Sequence, residues 1–189
     1  MDTYSFVMRG LLTEEALDKT GRKTKRSLLD LTEAQLVDRL GITLIDDDLV
    51  ERSQKMSYIF VAICSFENSV REFISKKLLE EKGADWWEQN VKSDVRKRAE
   101  SRKTAEDGMR WLSPRGENPI NYTEFGDLVS IIAGNWELFE PHLGTQEWAQ
   151  SIITPLEKMR NIIMHGGELD ARDIERVGIN IRDWMNQVG

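Results

Sequence analysis

The chain has 189 residues, 40% of them hydrophobic and 31% charged, which suits one domain or one domain with a small appendage. No stretch approaches the roughly 20 apolar residues that cross a bilayer, and MDTYSFVMRG is no signal peptide, so a cytoplasmic protein with no membrane partner is expected. One cysteine (Cys64) and two histidines exclude an internal disulfide and argue against Cys- or His-based metal sites, so no cofactor is expected, while a net charge of −7 speaks against nucleic-acid binding by overall charge.

Residues 1–30 are polar and weakly periodic, with a short helix predicted around TEEALDK and a basic run, RKTKR, at 22–26. In DLTEAQLVDRLG, Thr32 and Gln35 make a capping-box pattern and Gly41 a stop. Residues 1–44 thus read as a small helical appendage and 45–189 as the main domain. A helix over roughly 47–82 follows, because Met56, Ile59, Phe60, Ile63, Val70, Phe73 and Ile74 recur at three- and four-residue spacings before Gly83. Residues 86–104 are compatible with helix but densely charged. Within them KSDVRKRAESRK, 92–103, holds six Lys or Arg in twelve positions. That run is either a solvated helix face or a strip that attracts phosphates through Arg96, Lys97, Arg98, Arg102 and Lys103.

The Pro/Gly-containing LSPRGENPINY, 112–122, reads as an irregular loop. Thr123 opens a helical stretch through FGDLVSIIAG and NWELFEP, broken near Gly134. Thr145 starts the next, TQEWAQSIITPLEKMRNIIMH, which stops at Gly166 and Gly167, with Pro155 marking a kink or a later start. The last helix, ARDIERVGINIRDWMNQV, has Asp170 as its cap and Ile174, Val177, Ile181, Met185 and Val188 on one stripe. No alternating pattern of useful length appears, so the fold class is all-α.

Two positions stand out chemically. On the 145–165 helix, Trp148, Ile152, Leu156, Met159 and Ile163 share roughly 80° of arc, at about 100° per residue, and form the core stripe. Arg160 lies on the flank of that stripe, whereas Asn161 and His165, about 100° and 140° from Arg160, point away from it. A histidine there serves the helix C-terminus, an interface or proton transfer. In SFENSVREFI, Glu67 falls in line with Phe60, Ile63, Val70 and Ile74, and a carboxylate on an apolar face is costly to bury unpaired. It either reaches out to solvent or pairs with Arg71 or Arg160, and with Asn68 it supports Arg160. Cys64 reads as packing, His142 as surface, most tryptophans as core or interface, and Asp46–Asp48 as a helix start.

With these residues in hand, the chain resembles the HEPN superfamily over about 45–189. RNIIMH, 160–165, fits its motif of Arg, a polar residue and a following His, and YTEFGDLVSIIAGNWELFEP, IRDWMNQV and SFENSVREFI look like its flanking helices. The resemblance implies a helical bundle that pairs as a two-fold homodimer, and a metal-independent endoribonuclease leaving 2′,3′-cyclic phosphate and 5′-hydroxyl ends. Carried over, Arg160 binds the scissile phosphate, His165 moves protons, and Asn161 orients the histidine or contacts RNA. RNA is the implied substrate, in a toxin or phage-defence setting with an antitoxin or larger defence complex as partner. The alternative is a non-catalytic dimerisation or interaction module of the same fold.

Overall fold

A computed structural model describes residues 31–109 and 111–188, together with Thr13 and Ala16. The basic run at 22–26 and most of the helix expected at TEEALDK lie outside the described residues. Every regular element among the described residues is helical, and the fold is all-α. None of the helices described is long and apolar enough to cross a membrane. The chain divides into two compact units, 1–50 and 51–189, with the boundary inside one long helix.

In the first unit, α1 (Glu33–Arg39) begins as its sequence dictates. The Thr32 hydroxyl accepts from the Gln35 amide, and the Gln35 side chain accepts from the Thr32 amide at 2.8 Å. Gly41, at φ +64°, turns the chain into a short 3-10 segment, Ile42–Leu44. Asp46 then caps the next helix by accepting from the Asp48 amide.

The second unit is built on α2 (Asp47–Lys82), 36 residues and about 54 Å long. Its buried line is Ile59, Ile63, Phe66, Val70, Ile74 and Leu78, with Glu67 buried among them. After Gly83 (φ +81°) come α3 (Trp86–Asn90), α4 (Ser93–Asp107) and a 3-10 turn, Pro119–Tyr122. Then follow α5 (Phe125–Gly134), α6 (Trp136–Leu143), α7 (Gln146–Met164) and α8 (Ala171–Val188). Aromatic rings tie these together. Phe66 of α2 stacks on Phe125 of α5 and meets Trp184 of α8 edge-on, and Trp184 lies flat against Trp148 of α7 at 5.8 Å.

Four details differ from the sequence reading. Thr123 does not open α5: its hydroxyl donates back to the Ile120 carbonyl, and the helix starts at Phe125, after Glu124. Pro155 neither delays nor ends α7, which runs unbroken from its cap at Thr145. On α8, Asp170 caps as expected, but Ile174 and Met185 stand exposed, and the line turned inward is Val177, Asn180 and Trp184. His142, read as surface, is half-buried with its ring edge-on to Phe73.

Candidate functional site

The end of α7 is shaped by its two glycines. Gly166 sits at φ +76°, its amide donates to the Ile163 carbonyl at 3.0 Å, and the Gly167 amide reaches the Ile162 carbonyl at 2.9 Å. This is the paired closure that satisfies a helix's last carbonyls, and it needs a residue tolerant of positive φ at its first glycine. Gly167 is required for space, since a Cβ there would come within 2.6 Å of an Ile162 methyl. His165 is therefore held at the C-cap, exposed, with no side-chain partner among the described residues. Gly166→Ala is expected to cost about 1–2 kcal/mol, read as a lowered urea midpoint. An unchanged midpoint would mean that the terminus re-forms without the left-handed residue.

Arg160, a turn and a half earlier, faces inward. Its guanidinium lies 5.7 Å from the centre of the buried Phe125 ring and 3.6 Å from a Glu67 carboxylate oxygen, and it donates to the Asn161 amide oxygen at 3.1 Å. Glu67 is 4% exposed and shared by two cations, because Arg71 donates to its other oxygen. The alternative in which Glu67 reaches solvent is thereby corrected: burial is tolerated because both carboxylate oxygens face guanidinium groups.

The two arginines differ in what they have left to give. Arg71 donates to Glu67, to the Thr123 carbonyl at 2.8 Å and to Asn68 at 2.8 Å. Arg160 makes one hydrogen bond among its five N–H donors, the Glu67 contact being longer than a hydrogen bond. Arg71 is a brace, whereas Arg160 is positioned with donors uncommitted. Asn68 braces Arg71 and makes no hydrogen bond to Arg160, and the Asn161 side chain engages the arginine, while only its backbone carbonyl meets the histidine, accepting from the His165 amide at 3.2 Å. Beside this cluster, burial and then the Glu67 charge push the Cys64 thiol above its ordinary value, against the pull of Arg160 and Arg71. A thiol held protonated is a packing group and a poor nucleophile.

The basic strip falls on α4, and its arginines are partly committed. Arg98 donates to Asp127 through Nε (2.9 Å) and Nη2 (2.6 Å), while Arg102 donates to Asp127 at 2.8 Å and to the Tyr122 carbonyl at 2.9 Å. Arg96 donates to the Val91 carbonyl. Lys97 is exposed and Lys103 half-buried, neither with an ion-pair partner among the described residues. Val95 and Ala99 are the buried line of α4, and Arg96, Arg98 and Arg102 flank it within about 80° of arc, so the strip borders the face by which the helix is seated on the body. The segment 122–127 thus meets Arg102 at Tyr122, Arg71 at Thr123, Arg160 at Phe125, and Arg98 with Arg102 at Asp127.

Burial alone would raise the Asp127 carboxyl, but hydrogen bonds from Arg102 and Arg98 outweigh it and hold the group below its ordinary value. A lowered folded-state value gives stability that is present above the unfolded aspartate value, about 4, and is lost as pH falls through the folded one. Asp127→Asn is therefore expected to lower the urea midpoint at pH ~7, with the gap from the parent closing below about pH 4. A gap independent of pH would remove the ion pairs as its cause.

Among the described residues no three His, Cys, Asp or Glu side chains are grouped so as to hold a metal ion. Residue inspection alone missed Thr123, which acts through its carbonyl, Phe125 as a floor for Arg160, and Asp127 as the anchor of α4. Asp127 did leave a signal, as the lone acid in the apolar FGDLVSIIAG.

No curated protein and no solved structure matches the chain. The model of a family described as Swt1-like HEPN matches residues 62–189, a span that contains Glu67, Arg71, α4 and the α7 terminus.

Proposed function

The chain belongs to the Swt1-like HEPN family, and from that premise we propose that it is a metal-independent endoribonuclease using Arg160 and His165. One observation carries the reading: Arg160 is steered by Glu67, Asn161 and Phe125 yet gives only one of its terminal N–H groups to a hydrogen bond, and the same helix ends five residues later in a histidine whose side chain has no partner among the described residues. A structural arginine would look like Arg71.

In the proposed reaction the 2′-oxygen of a ribose attacks the adjacent phosphorus and the bond to the 5′-oxygen breaks, leaving a 2′,3′-cyclic phosphate and a 5′-hydroxyl. Imidazole removes the 2′ proton or delivers one to the leaving oxygen. Arg160 holds the non-bridging oxygens as charge builds on them. RNA suits this scheme because its nucleophile is internal, already placed beside the phosphorus.

Along a helix, five residues turn about 140° and rise about 7.5 Å, so Arg160 and His165 leave α7 in different directions. Pairing two copies at this end brings both kinds of group to one strand. Ile162, 44% exposed, and Met164, 59% exposed, flank His165 and supply apolar surface for such a pairing. Further along the strand, Lys97 and Lys103 offer free ammonium groups, and Arg96, Arg98 and Arg102 add charge from within their existing contacts. A toxin or phage-defence role, with an antitoxin or larger complex as partner, is part of the proposal.

The test is an RNA-cleavage assay in EDTA with end-group analysis, alongside solution molar mass. Cyclic-phosphate ends from a dimer support the reading, and cleavage that demands an added divalent metal overturns it. The same exposed Ile162 and Met164 also favour a second reading, a non-catalytic docking module, which predicts a stable dimer that leaves RNA uncut.

A further inference from the structure

A separate depression of about 400 Å³ lies further along α2, where Ser75, Lys76 and Leu79 face α3 and the 118–120 strap. Its apolar part comes from Leu79, Trp86, Trp87, Pro119 and Ile120, with Trp87 and Ile120 buried and Trp86 half-buried. The two indoles stand at 85° to each other, and Trp86, the less buried of the two, is the one with surface left to offer. Its polar lining is Ser75, Lys76, Glu88 and Asn118, and none of these side chains has a partner among the described residues. That contrasts with Glu67, Asn68 and Asp127, whose side chains all hold arginines.

An aromatic wall with an unengaged amide, carboxylate and ammonium at its mouth fits a flat heterocycle that carries edge hydrogen-bonding groups and a phosphate. Position narrows the choice. Asn68, Arg71, Ser75 and Leu79 lie within about an 80° arc on α2, and the pocket begins about 12 Å along the helix from Glu67. A polar lane therefore links the arginine cluster to the pocket, over a distance that a few nucleotides of extended strand can cover.

We infer that this pocket seats an unpaired base of the RNA strand whose backbone lies at Arg160, with Trp86 as the stacking surface, Asn118 at the base edge and Lys76 at its phosphate. The inference rests on the ribonuclease reading for its choice of strand over free nucleotide. Glu88 keeps phosphate away from the mouth on its own side and accepts from an exocyclic amine. The pocket binds and orients, and takes no part in the chemistry.

The experiment uses the full chain carrying His165→Ala, to prevent cutting, and a short single-stranded oligoribonucleotide containing 2-aminopurine. Binding is expected to quench the fluorescent base. Trp86→Ala is expected to weaken binding by about tenfold or more, the usual effect of losing one base–aromatic stack. Asn118→Ala, on an exposed strap, and Ser75→Trp, which fills the depression, are expected to weaken it too, and they carry the test if Trp86→Ala does not fold. Unchanged affinity in both of these overturns the inference. So does a nucleoside monophosphate that binds as tightly as the oligonucleotide, which would make the pocket a site for free nucleotide. A parent protein that binds through the pocket yet never cuts RNA in EDTA would sink the ribonuclease reading and leave the pocket. Parent-like cutting at low RNA concentration by the three pocket variants with His165 restored would sink the pocket alone.

Discussion

RNA incubated in EDTA with the His165→Ala protein is expected to stay intact, with cleavage at least about 100-fold below the parent, the usual share of a proton-transfer group. The fold should not notice the change. His165 is exposed, without a side-chain partner among the described residues, and its place at the C-cap depends on backbone hydrogen bonds from Gly166 and Gly167. A surface substitution of this kind moves stability by no more than about 0.5 kcal/mol. Arg160→Ala is expected to lose a similar factor in rate by removing the phosphate's charge partner. Its stability is less protected, since the arginine also neutralises Glu67. A gel assay with matched thermal unfolding separates the two effects. Parent-like cleavage by the His165→Ala protein would remove imidazole from the mechanism.

The second large effect is on folding. Glu67→Ala leaves Arg71 and Arg160 facing each other around a carboxylate-sized gap, both largely buried and without the anion between them. Removing one partner of a buried ion pair costs about 3–5 kcal/mol, because the charge that remains is uncompensated. Chemical denaturation should show a loss in that range. Glu67→Gln, which keeps an acceptor for Arg71, should lose less. Adding Arg71→Met to Glu67→Ala should recover part of the loss by deleting one of the stranded cations, a non-additivity expected of residues in contact. A loss below about 1 kcal/mol in Glu67→Ala would put the cluster in the class of surface pairs, and Arg160 would have to be held by Phe125 and Asn161 alone.

The motif residues are legible in the amino-acid order because helical periodicity carries direction. His165 stands off the stripe of Trp148, Ile152, Leu156, Met159 and Ile163, and Glu67 stands on an apolar one, so both violate the pattern around them. The family reading from RNIIMH and its flanking helices agrees with the match over 62–189. Other parts are hidden for physical reasons. The carbonyl that Arg71 reaches belongs to Thr123, and any residue type would supply it. Asp127 announces that it needs partners, but six cations in the 92–103 run are equally eligible by sequence, and only the crossing of α4 over α5 selects Arg98 and Arg102. On α8, spacing gives the stripe's direction without showing that Ile174 and Met185 are left uncovered. For Pro155 the expected penalty is real, but the tertiary packing of α7 overrides it.

The stretch from Tyr122 to Asp127 works as a keystone. Three helices lean on it through four different guanidinium groups, seated at Tyr122, Thr123, Phe125 and Asp127. Lengthening it by a single amino acid would slide every one of those seats out of register at once, unfastening the cationic face of α4 and the arginine of α7 together. The neighbouring stretch at 111–114, exposed and ahead of the Arg115–Glu106 ion pair and the Gly116 carbonyl that Tyr122 reaches, is where evolution or an engineer can add length without cost to the chemistry.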